Sequence, residues 1–181
     1  MQYKTGRSRK DFMNTDFVVA NEHVALLPVS AADAGFLLAV YASTRMEEMA
    51  LVDWSPEQKD AFLRMQFEAQ TKHYRSQYPD AEYQIIQRAD GVPIGRLIID
   101  RSSDCILLMD IALLPEFRNH GIGTAMLRDL MAEAAAANLP IRLHVEFFNP
   151  VMKLYERLGF VKCQEAGLYY LMVWQPGRVL S

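Results

Sequence analysis

One segment constrains this chain more than any other. An apolar, strand-like run ends at Leu113-Leu114-Pro115; after Glu116 and Phe117, Arg118-Asn119-His120-Gly121-Ile122-Gly123-Thr124 leads into a helical pattern. The first N–H groups of a helix have no partner inside it, and that end carries partial positive charge. Glycines at 121 and 123 remove the side chains that would hold an anion off those groups. The order strand, basic residue, glycine pair, helix therefore predicts a seat for a phosphorylated ligand. It is not a Walker A loop, because no Gly-Lys-Ser/Thr run exists in the chain. A dinucleotide fingerprint would need glycine or alanine where Met126 stands, and would follow its strand without the spacer at 115–120. Glu146, about twenty residues on, is the feature that keeps that nucleotide-binding reading open. What remains is R-x-x-G-x-G.

Further along, Asn149-Pro-Val-Met-Lys-Leu-Tyr155-Glu-Arg-Leu-Gly159-Phe160 reads as a short helix closed by Gly159. The two motifs, in this order and at this separation, resemble the GNAT superfamily of N-acetyltransferases across residues 81–174. The resemblance implies acetyl-CoA as co-substrate, its diphosphate on Arg118, Asn119, His120, Gly121, Ile122, Gly123 and Thr124. It implies that main-chain groups of Ile111 and Leu113 pair with the pantetheine in strand fashion, and that Asn149 touches the same arm. Tyr155 would protonate the departing thiolate. The implied reaction is acetyl (acyl) transfer to a primary amine, expected to be a small molecule, by direct attack in a ternary complex. A protein or peptide N-terminal or lysine acetyltransferase and a non-catalytic acyl-CoA-binding module are the alternatives.

The rest of the chain supplies an element order. A first strand is expected at 23–29. Ser30 and Asp33 have the spacing of a capping pair and open a helix to about 41. Ser55, Pro56 and Gln58 start a second helix, running to about 75 on a stripe of Phe62, Met65 and Ala69. Met46, Met49, Met65, Phe62 and Phe67 are expected to enter the core. Strands at 83–88 and 94–101 flank a turn containing Gly91, and 105–113 completes the meander. A helix at 121–137, a strand at 141–148, the helix at 149–158 and strands at 160–163 and 168–174 follow. The order β-α-α-β-β-β-α-β-α-β-β predicts one α+β domain over 21–176. It also matches the GNAT fold, a mixed, mostly antiparallel sheet flanked by helices and splayed between its fourth and fifth strands.

The 181 residues carry a net charge of −3, and 51% of them are hydrophobic. Setting aside Lys4, Arg7, Arg9 and Lys10 leaves −7 on the remainder. An acidic body argues against nucleic acid as a partner and favours a cationic substrate. Residues 1–20, with their basic start, are expected to form a flexible tail. Cys105 and Cys163 read as buried hydrophobes of a reducing cytosol. No membrane span, signal-peptide core or metal-ligand spacing is present, so the expectation is a cytoplasmic, metal-free protein, monomer or homodimer.

The general base has three candidates. In 141–148 the residues Arg142, His144 and Glu146 share one face, opposite Ile141, Leu143, Val145 and Phe147. A polar face there places His144 or Glu146 beside a substrate cleft. Asp110, inside the apolar run Leu107-Leu-Met-Asp-Ile, is the third, since acids are rarely buried for packing alone. The resemblance implies that the acceptor pocket is shaped by the region holding Tyr41, Arg45, Glu47, Glu48, Asp53 and Trp54. Acids beside aromatic rings suit a cationic amine.

Overall fold

The computed structural model of the protein describes residues 16–19 and 22–177. Its strands are β1 (Asp16–Val19), β2 (Glu22–Pro28), β3 (Glu82–Arg88), β4 (Pro93–Arg101), β5 (Ile106–Leu113), β6 (Ile141–Glu146), β7 (Val161–Ala166) and β8 (Tyr169–Trp174). Among the described residues they form one eight-stranded sheet in the order β1-β2-β3-β4-β5-β6-β8-β7. Every pairing is antiparallel except β5 with β6, which is parallel. The helices are α1 (Ala34–Thr44), α2 (Met46–Ala50), α3 (Pro56–Gln77), α4 (Ile122–Ala137) and α5 (Met152–Arg157). This is the expected α+β architecture with one more strand. The tail expected over 1–20 lies outside the described residues apart from Asp16–Val19, which pair with β2.

The sheet opens where the resemblance implied. β5 and β6 share the register Ile106–Ile141, Leu107–Arg142 and Leu108–Leu143, and pairing stops there. Beyond it β5 continues to Leu113 and β6 to Glu146 with a gap between them. These are the fourth and fifth strands of the expected order, displaced by one because β1 precedes them.

A bulge in β5 decides what faces the gap. Ile98 pairs with Asp110 but Ile99 pairs with Leu108, so Met109 is the extra residue. Ile106 and Leu108 before the bulge, and Ile111 and Leu113 after it, all pack on one apolar core. The step of three across the bulge replaces the usual step of two. Asp110 is thereby turned to the opposite face, where it meets Arg96. Close by, β4 crowds the end of β5: a Cβ at Gly95 would stand 2.3 Å from the Ala112 carbonyl oxygen. Only glycine fits there.

Two helical layers cover the sheet. On one face α4 inserts Ile122, Met126, Leu127 and Leu130 against Ile99, Ile106, Leu108 and Leu143, and α5 adds Tyr155. On the other face Val40 and Tyr41 of α1 and Leu63 of α3 are buried. α3 begins on a full capping box: Gln58 N–H donates to Ser55 Oγ at 3.3 Å, and Ser55 N–H donates to Gln58 Oε1 at 2.9 Å.

Several expectations need correction. The inward stripe of α3 is Leu63, Gln66, Phe67, Gln70 and Tyr74, while Met65 and Ala69 point outward. Met46 of α2 and Met65 of α3 are exposed rather than core, and the α3 stripe that faces the sheet carries amides opposite polar partners. α1 continues to Thr44, and a short α2 fills part of the irregular stretch that was expected after it. Cys163 is exposed, not buried, since β7 is an edge strand and its register shifts at that residue. The strand expected at 141–148 ends at Glu146, where the chain turns into α5.

Candidate active site

The turn into α4 is a backbone feature. Asn119 (φ 64°) and Gly121 (φ 84°) are both left-handed, which turns the chain sharply into α4. The first intrahelical bond is Ala125 N–H to the Gly121 carbonyl at 3.0 Å, so the N–H groups of Ile122, Gly123 and Thr124 precede the helical ladder. A Cβ built on Gly123 meets nothing within 4 Å. Asn119, His120 and Gly121 are exposed, and Ile122 anchors the turn in the core.

Arg118 bonds to two separate elements of the fold. Its Nε donates to the Leu113 carbonyl at 2.8 Å, and its Nη2 donates to the Ser43 carbonyl at 3.1 Å and Ser43 Oγ at 2.9 Å. The guanidinium thus ties the end of β5 to the last turn of α1, where a cation also suits the helix dipole. The side chain acts as a brace, and the Leu113 carbonyl is engaged by it.

Tyr155 is fixed by the way α5 ends. Gly159 is left-handed (φ 93°), Phe160 N–H donates to the Tyr155 carbonyl at 3.0 Å, and Gly159 N–H donates to the Glu156 carbonyl at 3.0 Å. This is a Schellman motif, and its usual apolar contact is here ring on ring, Tyr155 to Phe160 at 5.5 Å. Tyr155 is only 6% exposed. Burial first, and then the negative charge of Asp110, push its hydroxyl well above the ordinary tyrosine value. Tyr155 packs on the α4–α5 side of the sheet.

Around Asp110 lies a buried polar cluster. Asp110 pairs with Arg96 Nη2, which also donates to Gln70 Oε1 at 3.4 Å. Arg96 is 3% exposed, and its guanidinium lies 5.6 Å from the Tyr41 ring and 5.8 Å from the Phe67 ring. Tyr74 of α3 is pushed up to about 12, by burial first and by the Asp110 charge next.

Glu146 and His144 stand apart from that cluster. Glu146 accepts from Arg45 Nη1 at 3.0 Å and from the Tyr169 hydroxyl at 3.3 Å, joining β6 to the α1–α2 junction and to β8. Arg45 also pairs with Glu48 at 2.9 Å. His144 is exposed on β6 beside Leu171. Asn149 Oδ1 accepts the Val151 N–H at 3.0 Å, so its carbonyl starts the turn into α5. Glu47, Asp53 and Trp54 are exposed, and Trp54 stacks edge-on with Phe62 at 5.1 Å.

A family model described as the acetyltransferase (GNAT) family matches residues 44–160, from the end of α1 to the closing turn of α5. The chain belongs to that family. Solved structures of similar fold include a PaiA N-acetyltransferase from Thermoplasma acidophilum in complex with coenzyme A, at a TM-score of 0.62 and 22% identity, covering 84% of this chain and 98% of that one. A GNAT family acetyltransferase from Elizabethkingia anophelis with acetyl-CoA bound has a TM-score of 0.52 and 18% identity, covering 84% of this chain and 97% of that one. Cysteine-rich protein 2-binding protein of Mus musculus is 29% identical over 100 residues, which are 55% of this chain and 12% of that protein. The GNAT chain thus spans about an eighth of that curated relative's length.

Arg96, Gln70, Tyr74 and Tyr169 lie outside both GNAT-like motifs. A signal for the first existed: Arg96 sits in Ile94-Gly-Arg-Leu-Ile-Ile as Asp110 sits in its own apolar run, on adjacent strands of one meander. Opposite charges embedded in neighbouring apolar strands point at each other.

Proposed function

We propose that the chain transfers an acyl group from acetyl-CoA to a primary amine at the open end of the β5–β6 pair. The observation carrying this is a helix start whose first N–H groups precede the helical ladder, with open space over Gly123, in a chain whose β5–β6 pairing stops at Leu108 and Leu143 and whose Tyr155 is buried on α5. The donor set fits a diphosphate, because N–H groups at a helix start favour anions and no side chain covers them. Ile122, Gly123 and Thr124 would hold the diphosphate through their N–H groups. The main chain of Ile111 and Leu113 and the Asn149 side chain would line the pantetheine path.

Acetyl-CoA supplies a thioester carbon open to attack. The chain supplies the remaining requirements. Tyr155 stays protonated at any working pH, so its hydroxyl donates to the leaving sulfur. A sulfur leaving into the same dry space is itself made more basic, which keeps the proton transfer matched. We assign Asp110 as the group that receives the amine proton through water, because it is a carboxylate on β5 beyond the point where pairing with β6 stops. Glu146 instead orders the mouth of the site through Arg45 and Tyr169. On this reading His144→Ala leaves turnover within about twofold, unlike a loss of general acid–base help.

Thiol release from acetyl-CoA across a panel of primary amines tests the reading. Tyr155→Phe is expected to lower kcat by about tenfold or more, the low end of what a positioned acid contributes, with coenzyme A affinity retained. Equal turnover in the two proteins would remove Tyr155 from the mechanism. Coenzyme A binding without thiol release from any amine would favour a binding module.

A further inference from the structure

Past the point where they part, β5 and β6 are each strand-paired on the outer side alone among the described residues. Leu113 pairs with Gly95 of β4 and Glu146 with Tyr169 of β8, while β5–β6 pairing ends at Leu108 and Leu143. Leu113 lies five residues past that point and Glu146 three, roughly 17 and 10 Å of strand. One short segment bonds to both of these ends: the close of α1, Ser43-Thr44-Arg45. On the β5 side, Arg118 Nη2 donates to the Ser43 carbonyl and Oγ, while its Nε donates to the Leu113 carbonyl. On the β6 side, Arg45 Nη1 donates to Glu146 Oε1 at 3.0 Å, and the Tyr169 hydroxyl donates to the same oxygen at 3.3 Å.

The segment is itself tightly bonded. Ser43 Oγ donates to the Val40 carbonyl and Thr44 Oγ1 to the Tyr41 carbonyl, both at 2.7 Å, and Arg45 N–H donates to the Ala42 carbonyl at 3.0 Å. Val40 and Tyr41 are buried, so this end of α1 is anchored on the sheet. Arg45 is held from its own side by Glu48 at 2.9 Å and by the Tyr41 ring, 5.8 Å from its guanidinium. The Arg45 and Glu146 side chains are 22% and 33% exposed. A pair so open to water adds about 1 kcal/mol or less to stability. Stability is therefore a weak reason for it. What it fixes is position: with a guanidinium at each end, neither strand end shifts unless α1 shifts too.

We propose that the end of α1 is a strap that sets the width of the opening between β5 and β6, with Arg45 and Arg118 as positioning residues at its two ends. The proposal rests on the transferase reading for what the opening holds, the pantetheine arm of coenzyme A. A strap works in series. Cut at either end, it no longer holds the strands, and cutting the second end changes little more. Two independent contacts would instead lose affinity additively.

The test titrates coenzyme A calorimetrically into the wild type, Arg45→Met, Arg118→Ala and the double variant. Arg45→Met keeps an apolar stem beside Tyr41 and loses the charge; Glu146→Gln is the milder cut at the same end, should Arg45→Met not fold. Each single variant is expected to bind about fivefold more weakly, within the range of couplings carried through a fold. The double variant should stay within about twofold of the weaker single. A double loss equal to the product of the single losses, or unchanged affinity in either single, overturns the strap. Backbone hydrogen exchange of the free proteins reads the strap without ligand. Arg118→Ala should speed exchange at the end of β6, and Arg45→Met at the end of β5, each across the opening from the contact removed. Acceleration across the opening supports the strap, and acceleration confined to the near strand overturns it. That readout decides even where the wild type binds no coenzyme A, a result that would separately sink the transferase reading.

Discussion

Two tyrosines and one ion pair carry most of what is testable at single residues. Tyr74 holds its proton up to about 12 in the folded chain, against the ordinary value of 10.0, and Tyr155 is raised as well. Between those values the folded state binds more protons than the unfolded state. Stability is therefore fully present below pH 10 and lost as pH rises towards 12. Urea midpoints measured at rising alkaline pH should fall over that window, and less steeply in Tyr74→Phe; an identical slope would mean that Tyr74 does not hold its proton. The Arg96–Asp110 pair gives a second measurement. Asp110→Ala strands a buried guanidinium and should cost about 3–5 kcal/mol in urea denaturation, whereas the apolar double replacement Arg96→Met with Asp110→Leu should cost less. If the double variant is the less stable one, the pair contributes more than mutual neutralisation. The short helix that carries Tyr155 was legible in the sequence because its motif is local, closed by Gly159 and Phe160 within the same short segment. Arg96 and Asp110 were harder to join, since the bulge at Met109 decides their common face and no local pattern announces a bulge.

Among the elements, β5 is the one whose geometry the site depends on most. Its far end is fixed by Gly95 on one side and by Arg118 on the other. Gly95→Ala must push β4 from β5 and should destabilise the fold by about 1–3 kcal/mol, as overpacking does. Arg118→Ala removes bonds to Leu113 and Ser43 and should cost about 2 kcal/mol, read from the urea midpoint. An unchanged midpoint would show that α1 and β5 hold their places without the brace. α3 shows why periodicity misread a helix here. Phe62, Met65 and Ala69 repeat at helical spacing, but the stripe that meets the sheet carries Gln66 and Gln70. Gln66 accepts from the Tyr41 hydroxyl at 3.1 Å, and Gln70 accepts from Arg96. Polar residues on an inward face are what a functional cleft demands, and an apolar count passes over them. The caps, by contrast, were readable: Asp33 accepts from Ser30 N–H and Oγ at 2.7 Å each, and Ser55 with Gln58 opens α3.

For the molecule as a whole, the order of elements was written in the hydrophobic patterning, and the split in the sheet followed from likeness to GNAT proteins rather than from the residues of β5 and β6. Nothing in those two runs says that pairing stops at Leu108 and Leu143. Among the described residues no helix is long and apolar enough to cross a membrane. The central claim is that the start of α4 binds coenzyme A over an uncovered glycine. Calorimetric titration of coenzyme A into the wild type and Gly123→Val, both checked for equal melting temperature, tests it most directly. A Cβ at that position meets nothing in the protein, so the fold should survive, while the added side chain occupies the diphosphate's approach. The account predicts binding to the wild type and at least about a tenfold weaker affinity in the variant, some 1.4 kcal/mol. Equal affinity in both proteins, or none in the wild type, would contradict it.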